Sequence, residues 1–443
     1  MKIGLIGNGG REHALAIALT REGQRDALYM YGAHLNPGIE KLTASSCLGD
    51  LRDIEKIVDF FVTSKVELVV VGPEIPLILG VSDQLRSKGL KVVGPTKAQA
   101  RLEGDKVFMR DLLQRRIKSG SPRWCKVDEA ASALEFISEV GQVAVKPVGL
   151  TGGKGVRVMG VHLSSIEEVQ QEVKSLLERD GTVLLEERLI GEEFSRMAFV
   201  SNHEVVPMPV AQDFKYAYDG DKGGMTGGMG AYTMSNGSMP FLDEDDLKQA
   251  DSILRLTVDA LAEETGEEYR GILYGQFMAT ANGVRVIEFN VRLGDPEGIN
   301  AMCLIQNDVV NLFDKIACGN MSSGDVSFTP KASICKYLVP TPYPDVSTEQ
   351  VEIDLSENEI EQAGFSVIFA SVARQGRGLW TLGSRALAIV GVGDDVFSIS
   401  EQMEELLTRI EPPTLRHRKD IGDREVIRNK IEKMRNIRNS IIV

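Results

Sequence analysis

The sequence predicts a multidomain α/β and α+β protein, with an N-terminal doubly wound α/β unit, a central clamp built from strand pairs, and a small C-terminal α+β module. Three observations carry that prediction. Short apolar runs alternate with amphipathic stretches over the first hundred residues, strand pairs with glycine-rich connections follow from about Thr96, and a proline-rich boundary, Pro340-Thr341-Pro342-Tyr343-Pro344, precedes a last set of short strands. A chain of 443 residues has room for about two to four domains. The divisions fall at residues 1–100, 101–322, with a subdomain over about 120–190, and 323–443.

Residues 2–6, 28–31, 66–71 and 91–93 read as strands, because each run is almost continuously apolar, as a parallel sheet covered on both faces requires. Between them residues 12–21, 54–63 and 80–88 repeat apolar positions at helical spacing. The first turn, Gly7-Asn8-Gly9-Gly10-Arg11-Glu12-His13, sets glycines before a helix N-terminus, where the phosphate of a small substrate can sit; a tight turn without a ligand is the alternative. NAD is disfavoured. The second strand runs into Tyr29-Met30-Tyr31-Gly32-Ala33-His34 without the acid that grips ribose hydroxyls.

Charged helices over 96–114 and 128–140 come next, then strands over 143–147 and 156–160 flanking a glycine loop, and a strand over 183–187 that ends in acids. A strand over 205–211, a long helix over 244–266, strands over 272–279 and 284–290, and C-terminal strands over 365–372 and 386–392 complete the reading. The closing basic helix, 424–438, reads as a solvated packing helix.

With 43% hydrophobic and 26% charged residues the composition is that of a globular protein, and a net charge of -14 disfavours nucleic acid as a partner. Any phosphate must be caught locally. Cys47, Cys125, Cys303, Cys318 and Cys335 are scattered without a Cys-x-x-Cys spacing, which fits a reducing, cytoplasmic location. No apolar run is long enough for a signal peptide or a membrane span.

Two remote segments carry the chemistry. In Lys146-Pro147-Val148-Gly149-Leu150-Thr151-Gly152-Gly153-Lys154-Gly155 the glycines expose backbone N–H groups between two lysines, which suits phosphate, although the Walker pattern fails at Val148 and Gly155. Lys106 is a further cation, and Lys146 ends an apolar strand where a charge needs a partner. In Val286-Ile287-Glu288-Phe289-Asn290-Val291-Arg292-Leu293-Gly294-Asp295, Glu288 and Asn290 project from one strand face, hard oxygens of the kind magnesium takes, and Gln276 on the preceding strand can add a third; an edge strand facing water is the alternative. Arg292 follows on the same face, suited to forking a carboxylate or phosphoryl group, with Asp295 and Glu297 beyond it. The run 184–193 offers a backbone to a base edge and a carboxylate to ribose, or is a solvated turn. The Gly220–Gly230 stretch reads as a loop closing over a site, a disordered linker being the alternative, and Gln212-Asp213-Phe214-Lys215 offers a carboxylate to a substrate amine.

The ordered set Gly9-Gly10-Arg11-Glu12-His13, Val71-Gly72-Pro73-Glu74, Gly94-Pro95-Thr96, Glu103-Gly104-Asp105-Lys106, Gly152-Gly153-Lys154-Gly155, Gln212-Asp213, Thr226-Gly227-Gly228-Met229-Gly230-Ala231-Tyr232, Glu288-Phe289-Asn290 and Arg418-Lys419-Asp420-Ile421-Gly422 closely resembles the phosphoribosylamine–glycine ligase family. The resemblance implies an ATP-grasp fold: a pre-ATP-grasp domain, an ATP-grasp clamp and a C-terminal domain. It implies glycine and 5-phosphoribosylamine as substrates, and ATP with Mg2+, or alternatively Mn2+, as cofactors. The reaction belongs to purine biosynthesis and is expected to pass through glycyl phosphate in a monomer or weak dimer, with no membrane partner. By the same resemblance Lys106, Lys146, Gly152, Gly153, Lys154 and Gly155 hold ATP, Glu186, Glu187 and Leu189 frame adenine, and Glu193 takes the ribose. Glu288 and Asn290, with Gln276, bind the metal. Arg292 and Lys146 are the expected catalytic residues, and Gly9, Gly10, Arg11, Glu74, Asp213, Lys215, Gly230, Arg292, Asp295 and Glu297 are the expected substrate surroundings. The loop departs from the family's common Lys-Ala-Asp-Gly-Leu-Ala-Ala-Gly-Lys-Gly at Pro147-Val148 and Thr151-Gly152, and the covering loop departs at Lys222-Gly223-Gly224-Met225.

Overall fold

A parallel five-stranded sheet opens the chain, with strands in the order Ser45–Leu48, Leu28–Gly32, Ile3–Ile6, Leu68–Val71 and Lys91–Val93. The computed structural model describes residues 1–21, 23, 27–150, 155–345, 349–376 and 378–440. The strand order reverses between Ile3–Ile6 and Leu68–Val71, whose last residues, Ile6 and Val71, are paired, so the turns after both strands open into one crevice. Gly9-Gly10-Arg11 and Gly72-Pro73-Glu74 meet there. The outer strand Ser45–Leu48 has an exposed, polar sequence and escapes a reading based on apolar runs.

The helix expected over 96–114 is two helices, Lys97–Gly104 and Lys106–Leu112. Asp105 causes the break, since its extended backbone ends the first and its carboxylate accepts from the amides of Val107 and Phe108 to cap the second.

Two four-stranded sheets form the middle. One runs Trp124–Val127, Val183–Glu187, Val143–Pro147, Arg157–Val158 and carries helices Ala130–Val140 and Ile166–Asp180 over a core of its own, including Val127, Ile137, Val143, Val173 and Val183. The other runs Glu204–Pro207, Gly191–Ser201, Arg270–Thr280, Gly283–Asn290, and helix Glu244–Thr265 covers it. Its core is continuous with that of the N-terminal parallel sheet and of the C-terminal region.

The strand expected over 205–211 stops at Pro207, and Gln212–Asp213 joins a different sheet. That sheet runs Gln212–Asp213, Gly230–Thr233, Ala332–Pro340, Leu387–Gly393, Ser366–Phe369. The Gly220–Gly230 stretch is not an unstructured linker: its Lys222–Met225 strand pairs antiparallel with Tyr216–Tyr218 just before it. Arg418 fastens this pair through the Tyr216 carbonyl and Asp221. Helix Arg424–Asn439 closes the described chain, with Ile427 and Met434 buried. Among the described residues no helix is long and apolar enough to cross a membrane.

Candidate active site

A cavity of about 660 Å³ lies between the two middle sheets. Lys146, Val156, Val158, Glu186, Glu187 and Leu189 line it from one side, Ile287 and Glu288 from the other, with Glu193, Asp213 and Lys215 between them. The two segments singled out in the sequence therefore reach one enclosure. Gly152, Gly153 and Lys154 lie outside the described residues, while Ala144 and Val145 pair with Val158 and Arg157 to carry the two strands that lead to them. Gly155 stands half-buried two residues before the return strand, Arg157–Val158.

Lys146 is buried and its Nζ donates to Glu186 Oε2 at 2.7 Å. Arg110 grips the same carboxylate in a fork of 2.7 and 2.8 Å. Burial opposes charge on Glu186, but Arg110 and Lys146 outweigh it and hold the carboxyl below its ordinary range. The Glu186 side chain, expected beside adenine, is engaged by these two cations, which leaves its strand backbone to face a ligand. Glu187 likewise binds Arg123, at 2.9 Å through the backbone amide and 3.0 Å through Nε. Lys106 Nζ donates to the Gly149 carbonyl at 2.7 Å, so this helix start is tied to the base of the glycine loop. Burial, and then Lys146, lower the Lys106 pKa, while Glu288 and Glu186 oppose the shift.

On the facing sheet Gln276 is the direct partner of Glu288, and Tyr274 of Asn290. The register slips just beyond, where Phe277 pairs with Val286, so Ile287 is a bulged residue. Its carbonyl accepts from Arg110 at 2.8 Å and Lys146 at 3.3 Å. The Glu288 side chain makes no hydrogen bond or ion pair with a described residue, and Glu288 lines the cavity. Asn290 Oδ1 accepts from Arg292 at 2.9 Å. Gln276 differs from the expectation of a third oxygen donor: its Oε1 accepts from Ser195 at 3.0 Å and from Tyr274, and its amide nitrogen donates to Glu193 at 3.2 Å and Asp213 at 3.3 Å. Among the described residues no three His, Cys, Asp or Glu side chains make a metal cluster. A carboxylate and an amide oxygen on one strand nonetheless suit magnesium, which commonly takes one or two protein groups and completes its shell with phosphates and water.

Arg292 reaches into a second cluster at the crevice of the first sheet. Its Nη2 lies 2.8 Å from Glu103 and its Nε 3.5 Å from Glu74, and Arg11 approaches Glu74 at 4.0 Å. Burial works against the charge of Arg292, but Glu103 and Glu74 raise its pKa further. Burial and the Glu74 carboxylate push Glu103 up to about 7 against the pull of Arg292. Arg11 also binds Glu12 at 2.6 Å and the Leu293 carbonyl at 2.9 Å. Arg11, Glu74 and Arg292, far apart in sequence, thus share one polar corner.

Asp295 and Glu297 are held rather than free. Asp295 accepts from the Tyr337 hydroxyl at 2.5 Å and from Arg385 at 2.8 Å, and Arg385 also binds the carbonyls of Gly227 and Gly228. Glu297 accepts from the Tyr274 hydroxyl at 2.6 Å, and burial raises its pKa, with Asp213 adding to the shift. Asp213 pairs with Lys215 at 3.0 Å beside Glu193, whose carboxyl burial also raises. Gly9 donates to Glu12 at 2.6 Å, and a Cβ on Gly10 would stand 2.1 Å from the Tyr337 hydroxyl. At Gly230 a Cβ would meet the Cys335 carbonyl at 2.2 Å, which makes that glycine a requirement of strand packing. Arg110, Ser195, Tyr274, Tyr337 and Arg385 were not singled out in the sequence. Apart from the Tyr274–Gln276 contact within one strand, their partners lie tens to hundreds of residues away.

Residues 1–103 match the phosphoribosylglycinamide synthetase N domain, 104–298 its ATP-grasp (A) domain and 333–424 its C domain. The phosphoribosylamine–glycine ligase of Methanopyrus kandleri is 41% identical over 99% of this chain and 99% of its own, and that of Methanosarcina barkeri is 42% identical over 99% and 100%. The crystal structure of the Thermotoga maritima phosphoribosylamine–glycine ligase superposes with a TM-score of 0.78 at 26% identity, covering 95% of this chain and all of that one. With its N, ATP-grasp and C domains matched in order and full-length relatives above 40% identity, the chain belongs to the phosphoribosylglycinamide synthetase family.

Proposed function

We propose that this protein joins glycine to 5-phosphoribosylamine with cleavage of ATP to ADP and phosphate, giving glycinamide ribonucleotide for purine biosynthesis. The observation that carries the reading is the shared cavity of Lys146 and Glu288, in a chain whose relatives are named phosphoribosylamine–glycine ligases. The ATP-grasp fold binds ATP with a divalent metal; Mg2+ is proposed, with Mn2+ as the alternative, because both take the carboxylate and amide oxygens of Glu288 and Asn290.

A carboxylate is a poor electrophile. One glycine carboxylate oxygen bonds to the γ-phosphorus as the bond from that phosphorus to the β–γ bridging oxygen breaks, releasing ADP and leaving glycyl phosphate. The amine of phosphoribosylamine then attacks the acyl carbon, phosphate leaves, and the amine gives up a proton. Lys106 and Lys146 balance negative charge on the phosphoryl oxygens. Glu288 and Asn290 would hold the metal, which would supply charge neutralisation at the phosphates. Arg292, fixed by Glu103, orients the carboxylate, and positioning of this kind lowers a barrier by several kcal/mol. Arg11 and Glu74 are proposed neighbours of the phosphoribosyl group, and Glu193 of the nucleotide ribose. The glycine loop at 149–155 is proposed to cover the phosphates and keep water from the acyl phosphate.

The test is ADP release by purified protein with glycine and freshly made phosphoribosylamine, beside formate and bicarbonate in place of glycine. Release that needs both glycine and the amine supports the reading, and release with bicarbonate alone replaces it with a carboxylating ligase. We also propose a cytoplasmic protein, which the free cysteines among the described residues support. Sedimentation decides between monomer and weak dimer.

A further inference from the structure

We propose that the C-terminal helix, Arg424–Asn439, is a wall of the nucleotide cavity, and that Val426, Asn429 and Lys430 set how tightly the nucleoside end of a purine nucleotide is held. The inference rests on the reading of that cavity as the ATP site. The helix begins at residue 424, where the match to the C domain ends. It is therefore an element outside the three matched domains.

Ile427 and Met434 are buried, on the side that packs against strands Gly191–Ser201 and Arg270–Thr280. The neighbouring stripe of Val426, Asn429, Lys430 and Lys433, spaced three, four and seven residues apart, lines the cavity. Two lysines fix the helix in place. Lys433 Nζ donates to Glu192 at 2.7 Å and to the Gly191 carbonyl at 2.8 Å, and Lys430 Nζ lies 3.3 Å from Glu192 and 5.2 Å from the centre of the Phe214 ring. Glu193, next in sequence to Glu192, lines the same cavity, and the charge of Lys430 acts on it.

The chemistry of this wall suits a nucleoside. Val426 offers an apolar contact, the Asn429 amide can donate to and accept from hydroxyls, and Lys430 places a cation near Glu193, the acid proposed to receive the ribose. A helix serving only as packing would need an apolar stripe alone, as Ile427 and Met434 provide. In the second stripe Lys430 and Lys433 anchor the helix to Glu192, whereas Val426 and Asn429 line the cavity, and no side-chain hydrogen bond or ion pair to a described residue accounts for them there.

The test is calorimetric titration of ADP with magnesium into the full chain and its variants. Val426→Trp, which drives an indole into the cavity, is expected to weaken ADP by about tenfold, and Asn429→Ala and Lys430→Ala are expected to weaken it several-fold with the glycine KM unchanged. Arg438→Ala is the structural control. Arg438 pairs with Asp243 at 3.2 Å and with Asp246, and it is not among the residues that line the cavity. That variant should lower the unfolding midpoint and keep wild-type ADP affinity. Wild-type affinity in Val426→Trp and Lys430→Ala overturns the inference, as does a loss in Arg438→Ala equal to that in Lys430→Ala. Failure of the wild-type chain to bind ADP is a separate outcome, which removes the reading of the cavity itself.

Discussion

Gln276 and Glu288 stand directly opposite each other on adjacent antiparallel strands, at the edge of a bulge that turns the Ile287 carbonyl toward Arg110 and Lys146. One irregularity in one strand thus joins the two halves of the cavity: Glu288, the proposed metal ligand that lines it, and Lys146, the cation that closes the glycine-loop strand, are fixed by adjacent backbone positions. Gln276 secures the arrangement through hydrogen bonds to Ser195, Tyr274, Glu193 and Asp213.

Replacing Glu288 by alanine removes a side chain without a hydrogen-bond partner among the described residues, so the fold is expected to survive within about 0.5 kcal/mol. Turnover should fall by at least about 100-fold, the scale seen when a group that stabilises transition-state charge is lost. Steady-state ADP release and urea unfolding on the same preparation check both halves. Near-normal turnover would remove the metal assignment.

Arg110 is fully buried and forks Glu186, which is 2% exposed. Arg110→Met leaves a buried carboxylate with Lys146 as its remaining cation, and it should destabilise the protein by about 3–5 kcal/mol. Adding Glu186→Gln, which removes the stranded charge, is expected to restore part of that loss. Chemical denaturation of the single and double variants measures the difference, and an Arg110→Met protein as stable as wild type contradicts it.

His13 joins the first domain to the last. It stacks on Phe369 with ring centres 5.8 Å apart, and its Nδ1 accepts from the Phe369 amide at 2.9 Å. Burial, reinforced by Lys41, lowers its pKa from 6.5 to about 3. The folded protein therefore keeps His13 neutral at pH values where the unfolded chain protonates it. Stability from this group is complete above about pH 6.5 and is lost as the pH falls toward about 3, by up to about 1.4 kcal/mol per pH unit. Urea midpoints between these limits should fall less steeply for His13→Gln than for wild type. Parallel curves exclude this role.

Gly10→Ala places a methyl group against the Tyr337 hydroxyl, which holds Asp295. Overpacking of this kind costs about 1–3 kcal/mol. Moving Tyr337 also loosens Asp295 and Arg385, so the KM for phosphoribosylamine should rise more than that for ATP. Equal KM changes for both substrates would break the link between this junction and the substrate side of the site.

The first sheet was legible because its inner strands are apolar on both faces, as in Leu68-Val69-Val70-Val71, whereas Ser45-Ser46-Cys47-Leu48 is an exposed edge and left no such trace. Lys146 was legible as a buried charge in need of a partner, yet its partner, Glu186, read as the end of a strand beside adenine, with a solvated turn as the alternative, and not as a counter-ion. Arg110, which completes that pair, comes from a charged helix with nothing to distinguish it from its neighbours. Glu288 and Asn290 were found through the two-residue period of a strand, and Gln276 through the strand before it. The bulge that decides what Ile287 does depends on the pairing itself. Arg385, Tyr337 and Asp295 meet only because the C-terminal sheet packs against the first domain, and long-range packing leaves no local signature.

The most direct measurement is a crystal structure of the full chain with a non-hydrolysable ATP analogue and Mn2+, read by anomalous scattering. The expected result is a metal peak at the Glu288 carboxylate and Asn290, with the triphosphate running between that peak and the Lys146 strand. A metal and triphosphate bound away from Glu288, or a nucleotide outside the cavity that Lys146 and Glu288 share, contradicts the account.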